Sequence, residues 1–286
     1  MKNFRIAAVS FVFLPLLAAA AERIESNYAR VVTDANDRAQ SLQLAIVSYV
    51  PKQGGDARVD LIGAVHVADA SYYAELNHRF ERYDALLYEL IAAEGDVVTR
   101  DSEKDGLLSG SQKLMMHALD LSFQLDEIDY TKANFVHADL TPEEMSQSMA
   151  ERDESLYSYF WQIIYASFRE YSRDPLGLRQ LEIMTSVVNA GDESPFKIMM
   201  AYEIADLDGF QSLFGNAAES AVIGARNQRA IAVLQRELDA GALHVGIFFG
   251  VGHMRDMERR VLELGLVPIE TTWVDAWQLD TQAAPE

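Results

Sequence analysis

Two segments of the chain repeat the same order of signals, and together they constrain the fold more than any other feature. Residues 61–89 read LIGAVHVADASYYAELNHRFERYDALLYE, and residues 244–273 read HVGIFFGVGHMRDMERRVLELGLVPIETTW. Each begins with an apolar run of β character. A Gly-x-x-His turn follows, Gly63 to His66 in one and Gly250 to His253 in the other. Helical spacing comes next, and then a second β run. Strand–turn–helix–strand units predict an α/β fold.

The segments outside the repeat fit that frame. Runs at 42–50 and 58–65 are β-rich and are separated by PKQGGD, which predicts a hairpin. The helix predicted over 69–80 has Tyr73, Leu76 and Phe80 at helical spacing, with Asp69 as its cap. The run at 85–90 is apolar on both faces, as in a buried central strand, except for Glu89. Residues 107–240 read as a large, mostly helical insert. Within it, helices are expected over 112–125, 153–171, 176–189, 194–207 and 217–240, and the 153–171 helix is rich in aromatics. Thr141-Pro142-Glu143-Glu144 reads as a helix start with a capping box. A last strand is expected over 266–274, and a loose tail after Gln278.

The first 21 residues have a basic start at Lys2 and Arg5, an apolar run, and small residues at the end. That pattern predicts a cleaved signal peptide, and hence a periplasmic or secreted protein whose single domain spans 22–286. The chain contains no cysteine, so a lipobox is not expected. With 49% hydrophobic residues the core needs no disulfides. A net charge of −20 argues against nucleic-acid binding, because the protein and a phosphate backbone repel each other. No phosphate-binding loop, dinucleotide fingerprint, His-Glu-x-x-His helix or nucleophile elbow is present.

The chemistry points to the paired turns. In an α/β sheet, sites form where strands end at their carboxyl edge. The glycines are expected to let the chain turn sharply there and so present His66 and His253 together. Two histidines and one carboxylate, Glu89, form a usual donor set for a catalytic divalent metal. Such a metal makes water a nucleophile near neutral pH. Glu89 is then the third ligand or the general base. Its alternative is a pairing with a core arginine, since a buried carboxylate is costly without a partner. Asn227, in the middle of an apolar helical stripe, and Arg226 beside it are candidates to hold a developing oxyanion. Asp139 and Tyr88 are supporting candidates. His78, His117, His137 and His244 read as structural.

Taken together, GAVH, the LLYE strand, HADLTPEE, IGARNQRA and FGVGH resemble the TraB/PrgY/GumN–Tiki family, in the erythromycin esterase/ChaN-like superfamily. The resemblance spans nearly the whole mature chain and implies a central mixed sheet flanked by helices, with a helical insert. It implies a metal-dependent protease site built from His66, Glu89, Arg226, Asn227 and His253. It also implies Mn²⁺ or Co²⁺, with Zn²⁺ as a further candidate. The expected function is a hydrolase acting on peptides. The alternative, from other relatives and from the aromatic helix, is a binding protein that sequesters a peptide or a haem-like ligand without turnover.

Overall fold

The computed structural model describes residues 28–93, 121–152, 154, 194–207 and 217–279. The expected signal peptide, His117, the helix at 176–189 and all but residue 154 of the helix at 153–171 lie outside the described residues.

The strands are β1 (Ala29–Thr33), β2 (Ala39–Pro51), β3 (Arg58–Ala64), β4 (Val67–Ala68), β5 (Ala85–Tyr88), β6 (Ser122–Phe123), β7 (Phe135–His137), β8 (His244–Gly250) and β9 (Leu266–Gln278). The helices are α1 (Ala70–Phe80), α2 (Gln124–Glu127), α3 (Pro142–Glu151), α4 (Ser194–Ala205), α5 (Arg226–Asp239) and α6 (Met254–Glu263).

Seven of the strands form one mixed sheet, in the order β1-β2-β3-β8-β5-β7, with β9 along the other edge of β2. The expected hairpin is present, because β2 and β3 pair antiparallel across the turn. From β3 onward the sheet is parallel: β3 with β8, β8 with β5, and β5 with β7. Of these strands, β3, β8 and β5 are buried on both faces. All four residues of β5 are buried, as its unbroken apolar sequence requires.

Register settles which helix covers which face. Ile62 pairs with Phe248, and Gly63 with Phe249. Successive side chains on a strand point to opposite faces. The Phe248 ring lies 4.9 Å from that of Phe80 on α1. A Cβ on Gly63 would meet Met254 Cγ of α6 at 3.6 Å. The helices of the two repeated units therefore cover opposite faces of the sheet.

Several sequence expectations are corrected. Asp69 makes no side-chain cap to α1. Its carboxylate instead accepts from the Gln278 amide at 2.6 Å and from Lys197 Nζ at 3.3 Å, which ties it to the end of β9. The described end of the expected 112–125 helix is the strand β6 followed by the short α2. The expected helical insert also contributes β7 to the main sheet. The long helix expected over 217–240 is broken at its start. A 3-10 turn at Ala217–Glu219 and a π-helical turn at Ala221–Ala225 precede α5, which ends before Gly241 at φ 100°. The last strand runs on to Gln278, and Leu279 beyond it is buried, with its amide bonded to Gln40 O at 2.9 Å, so the chain is still anchored there. The capping box at Thr141 and Glu144 is formed in full, with Pro142 in the first turn.

Candidate functional site

Three strand ends and one helix start converge on a small polar cluster. Glu89 follows β5, Asp139 lies two residues beyond β7, His253 ends the 3-10 turn after β8, and Arg226 and Asn227 open α5. Parallel pairing of β8, β5 and β7 puts the three strand ends on the same carboxyl edge of the sheet.

Arg226 ties the acidic side together. Its Nε and Nη2 donate to Asp139 Oδ1 and Oδ2 at 2.9 and 2.5 Å, a fork-on-fork pairing. Nη2 also donates to Glu89 Oε1 at 2.8 Å. The other Glu89 oxygen, Oε2, accepts the Gly250 amide at 2.6 Å. Burial raises the Glu89 carboxyl pKa. The imidazolium form of His253, the Arg226 guanidinium and the Gly250 N–H outweigh burial and hold it well below the usual carboxylate range. Glu89 thus has the core-arginine partner that was its alternative reading, and it lies in the candidate site as well.

His253 is buried, and its ring is held at one nitrogen. Nδ1 lies 2.7 Å from Asn227 Oδ1. Asn227 Nδ2 donates to His253 O at 3.1 Å and to Asp256 Oδ2 at 2.9 Å. Because the amide nitrogen faces two acceptors, Oδ1 must face the ring, and Nδ1 must carry the proton. In the neutral ring the lone pair is then on Nε2, which stands 3.5 Å from both Glu89 Oε1 and Arg226 Nη1. Asn227 is fully buried and its amide is already engaged. It is therefore an orienting residue and not the oxyanion donor expected from the sequence. Arg226 keeps that capacity, because among the described residues Nη1 has only the 3.5 Å approach to His253.

The glycines of the two turns serve a different purpose from the one expected. Gly250 has φ −51° and ψ 140°, a conformation open to any residue. What it supplies is close approach, since a Cβ there would stand 3.2 Å from Glu89 Oε2. At Gly63 a Cβ would press on Val251 Cγ2 at 3.3 Å, just where the second turn begins.

His66 is placed by backbone and not by side chain. Ala64 and Gly250 are in register, so both histidine turns leave the sheet from adjacent strands at the same edge. The carbonyls around His66 are pinned in sequence. Tyr72 Oη donates to Gly63 O at 3.0 Å, Tyr73 Oη to Val65 O at 2.9 Å, the Gln124 amide to His66 O at 2.9 Å, and Trp277 Nε1 to Val67 O at 2.8 Å. The imidazole itself is exposed and has no partner among the described residues. It does not join the buried cluster that Glu89 and His253 form.

Tyr88, a supporting candidate, faces away from the site. It neighbours Glu89 on the strand, so it lies on the other face, where its ring packs with Tyr130, Phe135 and His137. Asp139 is brought in as the partner of Arg226. Asp256 and Gly224 were missed by the sequence reading. Asp256 lies beside the apolar stripe of α6, between the buried Met254 and Met257, and that position was the available signal. A Cβ on Gly224 would stand 2.0 Å from Ala218 O, so only glycine fits in the π turn that precedes Arg226.

Among the described residues, no group of three or more His, Asp or Glu side chains forms a ready-made cage for a metal ion. The donor pair itself has suitable spacing. Ligands at about 2.1 Å in a tetrahedral shell lie about 3.4 Å from one another. The Nε2–Oε1 separation of 3.5 Å matches that edge. With the His253 ring neutral the charges agree too, because two carboxylates face one guanidinium in a nearly dry cluster. No protein-family model, no curated protein and no solved structure matches the chain.

Proposed function

We propose that the chain is a metal-dependent hydrolase of peptides, related to the TraB/PrgY/GumN–Tiki family and acting in the periplasm or after secretion. The observation that carries this reading is the His253–Glu89 pair. The Nε2 nitrogen and a carboxylate oxygen stand 3.5 Å apart, at a sheet edge suited to a site. With His253 neutral, the surplus negative charge of Glu89 and Asp139 over Arg226 supports a bound cation. Among the described residues, no helix is long and apolar enough to cross a membrane.

His253 Nε2 and Glu89 Oε1 would hold the metal, and His66 on the adjacent strand end would become the third donor only by turning its exposed ring toward that pair. When bound, a divalent ion such as Mn²⁺, Co²⁺ or Zn²⁺ lowers the pKa of water enough to make it a nucleophile near neutral pH. The chain's own groups set the geometry. Asn227 keeps the proton on Nδ1 of His253, so that Nε2 stays a donor of electrons. Gly250 N–H and Arg226 fix the Glu89 carboxylate. Asp139 grips Arg226 through two bonds, leaving Nη1 directed into the site for a substrate carbonyl oxygen.

A peptide-library digestion with and without Mn²⁺ tests the reaction. Cleavage that needs the ion, and that is lost in Glu89→Gln and His253→Ala, is expected. Peptide binding with no product under any of these conditions would replace the hydrolase reading with the sequestering one.

A further inference from the structure

Asp256 is buried on α6, and its hydrogen bonds and ion pairs go to Asn227, Arg259 and Arg260, not to Glu89, Arg226 or the ring of His253. It acts one residue away from the ring. Its Oδ2 accepts Asn227 Nδ2 at 2.9 Å, and Asn227 Oδ1 meets His253 Nδ1 at 2.7 Å. The carboxylate is itself clamped from its own helix. Arg260 Nε donates to Oδ2 at 2.6 Å, and Arg259 Nη2 to Oδ1 at 2.6 Å. Arg260 is anchored in turn on Gly224 O at 3.2 Å, in the π turn that leads into Asn227. These bonds close a ring through α6, the π turn and the first turn of α5.

We infer that Asp256 is a positioning residue that sets the tautomer of His253 through the side-chain amide of Asn227. The physical reason is the asymmetry of an amide. Asn227 can present either oxygen or NH₂ to the imidazole. With oxygen toward the ring, the amide nitrogen donates to Asp256 and to His253 O. With the amide reversed, its oxygen would face a carboxylate and a carbonyl in a dry site, and its NH₂ would face Nδ1. Such a reversal would force the proton onto Nε2 and remove the lone pair that looks at Glu89. Asp256 penalises the reversal more than the neutral carbonyl does, because hydrogen bonds to an ionised acceptor are roughly twice as strong as neutral ones. Arg259 and Arg260 keep the carboxylate aimed at the amide, so the orientation is fixed before any ligand arrives. The consequence for metal binding rests on the function proposed above, but the tautomer itself does not.

The test is long-range ¹⁵N NMR of the His253 ring in full-length protein treated with chelator, so that no metal contributes. In the native protein Nδ1 should be pyrrole-like and Nε2 pyridine-like. Asp256→Leu should raise the share of the Nε2–H form at least about tenfold, since a bond to a charged acceptor is lost. Asp256→Asn, which keeps a neutral acceptor, should fall between the two. A native ring protonated at Nε2 overturns the inference, and this reading needs no variant to fold. So does a folded Asp256→Leu or Asp256→Asn protein with the native tautomer ratio. Zn²⁺ binding is then measured separately. A protein with the expected tautomer that binds no metal would refute the hydrolase reading and leave the role of Asp256 standing.

Discussion

His253 Nε2 lies 3.5 Å from Glu89 Oε1, although the two residues follow different strands and are far apart in the chain. Pairing of β5 with β8 brings them together, since Tyr88 and Phe248 are in register and the Glu89 amide bonds to Phe248 O at 3.2 Å. The contact is therefore a consequence of the parallel sheet. The glycine at position 250 keeps it short.

That dependence gives the first prediction. Gly250→Ala pushes on a carboxylate already bonded to the Gly250 amide, with the new Cβ 3.2 Å from Oε2. The backbone there suits alanine, so the fold should lose no more than about 1.5 kcal/mol, the worth of an ordinary hydrogen bond. Hydrolysis should drop at least about tenfold, because a small misplacement of a reacting group costs that much or more. Urea unfolding and peptidase assays on the same sample check the two expectations separately.

Arg226 should matter to stability as well as to chemistry. Arg226→Ala leaves Glu89 and Asp139 facing each other without their shared cation. Breaking a buried ion pair from one side costs about 3–5 kcal/mol. Arg226→Lys restores charge but not the fork that grips Asp139, so it should recover only part of the loss. Denaturation midpoints of the two variants at neutral pH test this ordering.

Asp60 makes a similar claim at the opposite end of the parallel strands. It is buried and bonded to Tyr83 Oη at 2.9 Å, Arg58 Nε at 3.1 Å and His244 Nε2 at 3.1 Å. Burial raises its pKa, but the bonds from Ser48, Tyr83 and His244 and the Arg58 charge outweigh this and lower it. A depressed carboxylate stabilises the fold above its unfolded pKa of about 3.9 and loses that contribution as pH falls through the folded value. Asp60→Asn should thus cost about 1.5–3 kcal/mol near pH 7, with a difference from the native protein that shrinks below about pH 4. Stability curves at several pH values give the answer. A gap independent of pH would reject the assignment.

The π turn before Arg226 gives a purely steric prediction. Gly224→Ala places a methyl 2.0 Å from Ala218 O, and a backbone atom cannot move aside as a side chain can. The loss should exceed that of Gly241→Ala. Gly241→Ala meets nothing within 4 Å and suffers only from φ 100°, a strain of about 1–2 kcal/mol. Thermal unfolding of the pair checks the ranking.

The sequence carried the sheet because period and turn chemistry act locally. The hairpin and the buried β5 follow from residues close together in the chain. Glu89, Asn227 and Asp139 stood out as polar groups at apolar or strand-end positions, and all three lie in or beside the cluster. Their partners were not legible, because which acid meets Arg226 depends on strand order. Asp69 looked like a cap by position, yet it is claimed by Lys197 and the end of β9, contacts made across the chain. Gly224 and Asp256 gave little sign, since one acts through a close backbone approach and the other through a single amide. His66 shared its motif with His253, but the motif fixes only the path of the backbone, and its exposed ring stands apart from the buried pair.

The most direct measurement of the central claim is metal content by mass spectrometry after the protein is loaded with Mn²⁺, Co²⁺ or Zn²⁺ and freed of excess ion. About one equivalent per chain should stay with the native protein, and Glu89→Gln and His253→Ala should each lose most of it. A native protein that retains no ion, or variants that retain as much as the native chain, would contradict the account.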